Sequence, residues 1–256
     1  MKYTNLLLGI ITMTQIASLA HAETFKIKTP RGTEVEVVTN YPAKASERSP
    51  VIIIAPGQGY HMGLPLVQQL AETSVKNGFI SYQFNWSYYS SDPTKGQPSD
   101  DFSNEIEDMQ TVLRLVKSNS RVDSSKIVIA GKSIGTLVSY AIFNSDVSLA
   151  GLILMTPLCT DPDNQTAIGN ESYPKFSANT RPIAIILGNS DAMCSLPMLY
   201  DFVKDSTGNV SVNIFGGGHS LTFGKGGDPS NIERDARNIG AATTTAALWA
   251  KIIVHE

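Results

Sequence analysis

Ile129-Ala130-Gly131-Lys132-Ser133-Ile134-Gly135-Thr136-Leu137-Val138 holds the only Gly-x-Ser-x-Gly of the chain. Before the serine, Lys126 to Ala130 reads as a buried strand; after it, Ile134 to Phe143 takes on the apolar spacing of a helix. A serine hydroxyl attacks well only when a sharp turn exposes it to a base, with N–H donors near the developing oxyanion. Gly131 and Gly135 suit such a turn, because side chains there would collide between strand and helix. The Ile134 N–H, in the helix's first turn, then faces the reacting carbonyl oxygen.

Working outward, Thr24 to Lys28 and Thr33 to Val38 alternate as two strands around Pro30-Arg31-Gly32. Val51 to Ala55 is a continuous apolar strand, followed by helical spacing over Leu64 to Lys76 that stops at Asn77-Gly78. Strand Phe79 to Phe84, a polar and aromatic loop from Asn85 to about Asp100, and a helix over Phe102 to Ser118 lead to the serine turn. Beyond it come strands Leu149 to Met155, Ile183 to Leu187 and Val210 to Phe215, with helices over Leu196 to Lys204 and Ile232 to Ile252. Alternating strands and helices predict an α/β fold: a mostly parallel sheet covered by helices on both faces. Its active site should lie beyond the carboxyl ends of the strands.

Four histidines compete for the role of base. His21 stands in the N-terminal segment and His255 is the second-last residue, where chains are seldom held firmly. His61 reads as a loop or pocket residue. His219 follows a strand through Gly216-Gly217-Gly218, a path that lets an imidazole reach across the top of the sheet. It is therefore the expected base. A base needs a carboxylate to fix its tautomer. Asp191, in Gly188-Asn189-Ser190-Asp191, sits on a short turn just past a strand, whereas Asp161 and Asp163 lie on a longer loop. Asp191 is preferred, giving the chain order Ser133, Asp191, His219.

That order, the Gly-Lys-Ser-Ile-Gly turn, Gly-Asn-Ser-Asp and Gly-Gly-His-Ser together resemble the α/β-hydrolase superfamily from about Pro50 to Trp249. Within it the chain is similar to the small dienelactone hydrolase-like group, in which Gly-Lys-Ser-Met-Gly-Gly and Ala-His-Gly-Ala-Gly recur. Here the second motif reads Ala55-Pro56-Gly57-Gln58-Gly59, and Thr136 replaces the last glycine of the first. The resemblance implies that the Gln58 N–H joins that of Ile134 as oxyanion donor. The loop Thr156 to Thr180 is short for a separate cap domain and reads as a minimal lid. Dienelactone hydrolases proper carry a cysteine nucleophile, so their specific activity is not expected of a serine elbow. Tyr60, His61, Trp86, Tyr89 and the lid's Tyr173 are candidate pocket residues; Trp86 reads equally well as packing the loop onto the sheet. The resemblance also makes the strands before Cys159 and Cys194 neighbours, which allows a disulfide between them.

At the N-terminus, Lys2 precedes an apolar run from Leu6 to Ala20, and Ala20-His21-Ala22 offers a small-x-small cleavage pattern. The run is shorter than the ~20 residues of a spanning helix. The expectation is a cleaved signal peptide, residues 1–22, and a single exported domain, residues 23–256, in the bacterial periplasm or secreted. Taking 22 residues and Lys2 from a 256-residue chain with 20 Lys and Arg against 23 Asp and Glu leaves 234 residues at a formal charge of −4. Without a basic run, nucleic-acid binding and stable membrane insertion are not expected. No cofactor motif or metal-ligand spacing is present, and nothing signals an oligomeric state. The expected activity is cleavage of a small-molecule or polymer-borne carboxylic ester through an acyl-enzyme. A thioester or amide would use the same residues. A non-catalytic binding protein would have no need of the full Ser, Asp and His set.

Overall fold

The computed structural model describes residues 21–43, 48–159, 172–224 and 228–256. Eight strands form one sheet. They are β1 (His21–Lys28), β2 (Glu34–Tyr41), β3 (Ser49–Ala55), β4 (Ile80–Asn85), β5 (Val122–Lys132), β6 (Gly151–Met155), β7 (Ile183–Gly188) and β8 (Val210–Phe215). Their spatial order is β1-β2-β4-β3-β5-β6-β7-β8, with β1 and β2 antiparallel to their neighbours and the rest parallel.

Parallel strands at the centre must be apolar on both faces, and β3 shows why. Its Val51, Ile53 and Ala55 enter one core while Ile52 and Ile54 enter the other. Helices α1 (Pro65–Lys76) and α6 (Ile232–Ile253) close the second core with Leu66, Leu70, Ile239 and Ala246. Met109 and Val112 of α3 (Ser103–Ser118) and Val138 and Tyr140 of α4 (Ile134–Ser145) close the first. The α/β architecture is thus the expected one. No described helix is long and apolar enough to cross a membrane.

Two segments differ from expectation. Within the aromatic loop, Ser87–Ser91 forms the one-turn helix α2. Its start is fixed from a distance, since the Ser87 N–H donates to the buried Asp108 carboxylate (2.8 Å) on α3. The same carboxylate pairs with Arg31 of the β1–β2 turn, tying that hairpin to α3. Such a long-range partner leaves no local periodicity to read. Strand β5 also begins earlier, at Val122, where it meets Ser49 of β3. Of the N-terminal segment, residues 1–20 lie outside the described residues; His21 and Ala22 open β1.

Candidate active site

Ser133 stands between β5 and α4 with φ 55° and ψ −123°, a conformation that L-residues adopt only when their surroundings enforce it. The enforcement is steric. A Cβ on Gly131 would lie 2.1 Å from the Gly135 carbonyl oxygen, and one on Gly135 would lie 2.6 Å from that of Pro56. The Ser133 N–H donates to Met155 of β6 (3.1 Å), and the Thr136 hydroxyl donates to the Ser133 carbonyl (2.5 Å). Tyr173 meets that hydroxyl at 2.8 Å.

His219 reaches the serine from the loop after β8. Its Nε2 is 2.9 Å from Ser133 Oγ, and its Nδ1 is 3.0 Å from each carboxylate oxygen of Asp191. Asp191 is buried in the turn after β7, where Oδ1 accepts the Met193 N–H (2.8 Å). The Asp191 and His219 loops are laced together. The Ser190 N–H donates to Gly217 (2.9 Å), and a Cβ on Gly188 would lie 2.4 Å from the Gly217 and Gly218 oxygens. Gly217 takes φ 87°, which turns the chain back toward the sheet. From α6, Asn238 Nδ2 donates to the carbonyls of Gly216 (2.8 Å) and Leu221 (2.7 Å), and Asp235 accepts the Phe223 N–H (2.8 Å). Cys159 and Cys194 form a disulfide, Cα to Cα 4.6 Å, and the Cys159 N–H donates to the Met193 carbonyl (3.0 Å). Asp161 and Asp163, the alternative acids, lie outside the described residues.

Gly57 packs against the serine; a Cβ there would sit 3.1 Å from Ser133 Cβ. The N–H groups of Gln58 and Ile134 have no acceptor among the described residues, and Ile134 is the first residue of α4. Both are therefore free to receive an anion, the second reinforced by the helix dipole. The Gln58 side chain bonds Gln97 (2.7 Å), and the Trp86 indole N–H donates to the Pro56 carbonyl (3.0 Å).

Two of the expected pocket residues do not line open space. Trp86 is buried with Phe84 edge-on at 4.9 Å, and its indole is spent on Pro56. Tyr173 is wholly buried among Tyr140, Phe176 and Phe202 and props the serine turn through Thr136. A ring flanked by apolar partners gains more from packing than from facing solvent. His61 and Tyr89 stack at 5.4 Å and, with Tyr60, Trp86 and Asn85, surround a crevice closed to a water-sized sphere. His61 is not brought to the serine; its Nδ1 accepts the Gly63 N–H (3.1 Å). A cleft of about 390 Å³ is lined by Ser190, His219, Ser220, Thr222 and Phe223.

Sequence reasoning passed over Lys132. Its side chain runs beside Gly57, its Nζ lies 4.7 Å above the Tyr60 ring, and the residue is 3% exposed. Burial pulls its pKa down to about 8, partly countered by the Asp191 carboxylate. The Tyr60 hydroxyl, held by the Leu66 N–H (3.0 Å), has its pKa raised by burial. A lysine inside the serine motif was the available signal.

A family model described as Alpha/beta hydrolase domain matches residues 48–247. Among solved structures, a serine hydrolase homologue from Coxiella burnetii is similar at TM-score 0.67 and 21% identity, over 88% of this chain and 96% of its own. An esterase from Pyrococcus furiosus matches at TM-score 0.67 and 12% identity, over 92% and 94%. A serine hydrolase without lid from Xanthomonas campestris matches at TM-score 0.58 and 19% identity, over 77% and 85%. No curated protein matches by sequence. At such identities the structural likeness speaks for the fold.

Proposed function

The chain belongs to the alpha/beta hydrolase domain family, and from that premise we propose that it is an exported serine hydrolase cleaving a carboxylic ester. The observation that carries this reading is the 2.9 Å contact of His219 with a serine held in a strained elbow beside two free N–H groups. Ser133 Oγ bonds to the carbonyl carbon as its proton passes to His219 Nε2. Asp191 keeps Nδ1 protonated and faces the imidazolium. The oxyanion enters between the Gln58 and Ile134 N–H groups, each worth ~3 kcal/mol in the transition state. The carbonyl carbon–oxygen bond to the alcohol then breaks, and His219 returns the proton to the departing oxygen. Water repeats the sequence and frees the acid.

The open cleft on the His219 side supports a bulky or polymer-borne alcohol, since that is where the leaving group takes its proton. A fluorophosphonate probe is expected to label the wild type and to leave Ser133→Ala untouched; folded wild type that resists the probe would defeat the reading. A panel of esters of graded acyl length, with one thioester and one peptide series, then ranks the substrate classes. Export rests on the leader pattern. Cleavage after Ala22 leaves Glu23 opposite Thr39, so β1 keeps its pairing from that point on. N-terminal sequencing of protein from the periplasm or medium is expected to begin at Glu23.

A further inference from the structure

Lys132 is a buried cation for which the reaction just described has no use. Placing an ammonium where water cannot reach it is costly unless another charge answers it. Among the described residues it has neither a hydrogen-bond partner nor an ion pair; its ammonium lies against the face of Tyr60, and the Asp191 charge acts on it from beyond ion-pair distance. The titratable groups that act on it are thus Tyr60, from the turn before α1, whose ring it overlies, and at longer range Asp191, from the turn after β7, with His219 bonded to that carboxylate. Tyr60 also pins the oxyanion segment, its N–H donating to the Gly57 carbonyl at 3.3 Å.

We infer, resting on the serine-hydrolase reading, that Lys132 is a positioning residue for catalysis: its buried ammonium is the fixed countercharge of Asp191 and keeps the site neutral throughout the reaction. With His219 uncharged at rest, the carboxylate and ammonium cancel. When Ser133 attacks, the new oxyanion and the new imidazolium cancel in turn, and the Asp191–Lys132 pair is unaltered. Without the ammonium, the oxyanion would form in a site already carrying one unanswered negative charge, in a low-dielectric setting where that repulsion is strong. Tyr60 sets the position by offering its ring face to the cation. The low pKa of Lys132, about 8, gives this role a pH limit, because the countercharge vanishes as the amine loses its proton.

The test follows the fluorophosphonate labelling rate and the turnover of 4-nitrophenyl acetate from about pH 6 to about pH 10 in wild type, Lys132→Met and Lys132→Arg. Wild type is expected to lose rate above about pH 8. Lys132→Met should be slower by about tenfold at neutral pH, the equivalent of one pKa unit of interaction, and should show no such fall. Its thermal midpoint should equal or exceed that of wild type, because an apolar isostere avoids burying a charge. Lys132→Arg, which stays protonated, should recover most of the lost rate and hold it to the top of the range. A flat wild-type profile, or a methionine variant as fast as wild type, overturns the inference. If the methionine variant does not fold, wild type and the arginine variant decide: a fall near pH 8 that survives in Lys132→Arg overturns it equally. Failure of wild type to be labelled at neutral pH defeats the serine-hydrolase reading itself, and the inference with it.

Discussion

Ser133 and Asp191 are held in place by opposite means. Ser133 is fixed by covalent geometry and close backbone contact: its turn has room for nothing but glycine at two flanking positions, and its neighbours are strand and helix. Asp191 sits on a loop and is fixed by the Met193 N–H of its own turn and by two cross-links from other loops, the Gly217 carbonyl and the Cys159–Cys194 bond. The first arrangement is encoded in five consecutive residues. The second is assembled from segments that meet only in the folded chain.

The sharpest test of this contrast is chemical. Ser133→Ala or His219→Ala should each lower kcat by roughly 10⁶-fold with the fold intact by circular dichroism, because the residues act as one unit. Asp191→Asn should cost less, about 10⁴-fold, by presenting His219 with the wrong hydrogen-bond partner. Asp161→Asn should be mild in the same steady-state assay, and a greater loss there than at Asp191 would reassign the acid.

Stability separates the two arrangements next. Gly131→Ala forces a methyl to within 2.1 Å of a backbone oxygen that cannot withdraw. Its expected cost in urea unfolding is at least ~3 kcal/mol, with loss of probe labelling. A variant as stable and reactive as wild type would show that the elbow tolerates what its geometry forbids. Replacing Cys159 and Cys194 by serine is expected to act on the other arrangement. Opening a loop that spans 35 residues should lower stability by ~4 kcal/mol on the chain-entropy account. Residual kcat should fall by less than about tenfold, since Met193 still binds the carboxylate. A loss of activity as large as that of Asp191→Asn would mean that the disulfide alone positions the acid.

Much of this was legible beforehand, and unevenly so. The strand–turn–helix around Ser133, the apolar runs of the parallel strands and the short motifs around Asp191 and His219 are local signals, each carried by a few adjacent residues. The helix at Ser87 and the clamp on Arg31 depend on Asp108, which lies 21 residues beyond the first and 77 beyond the second. No window of sequence joins them. Tyr173 misled, and Trp86 could be read either way, because an aromatic in a loop after a strand looks the same whether it lines a cleft or packs beneath it. Lys132 stands in plain view inside its motif, but nothing in a pentapeptide alone tells a buried lysine from a solvated one.

The hold of α6 on the His219 loop has a consequence in time. A ribosome makes this chain from its N-terminus, so the elbow with Ser133 is complete long before Asn238 and Asp235 exist to grip Gly216, Leu221 and Phe223. Until the last helix emerges and docks, nothing on α6 keeps the imidazole against the hydroxyl. The Ser133–His219 contact is therefore secured only at the end of synthesis, and a nascent chain stalled short of its final 25 or so residues has the serine elbow without a steadied imidazole.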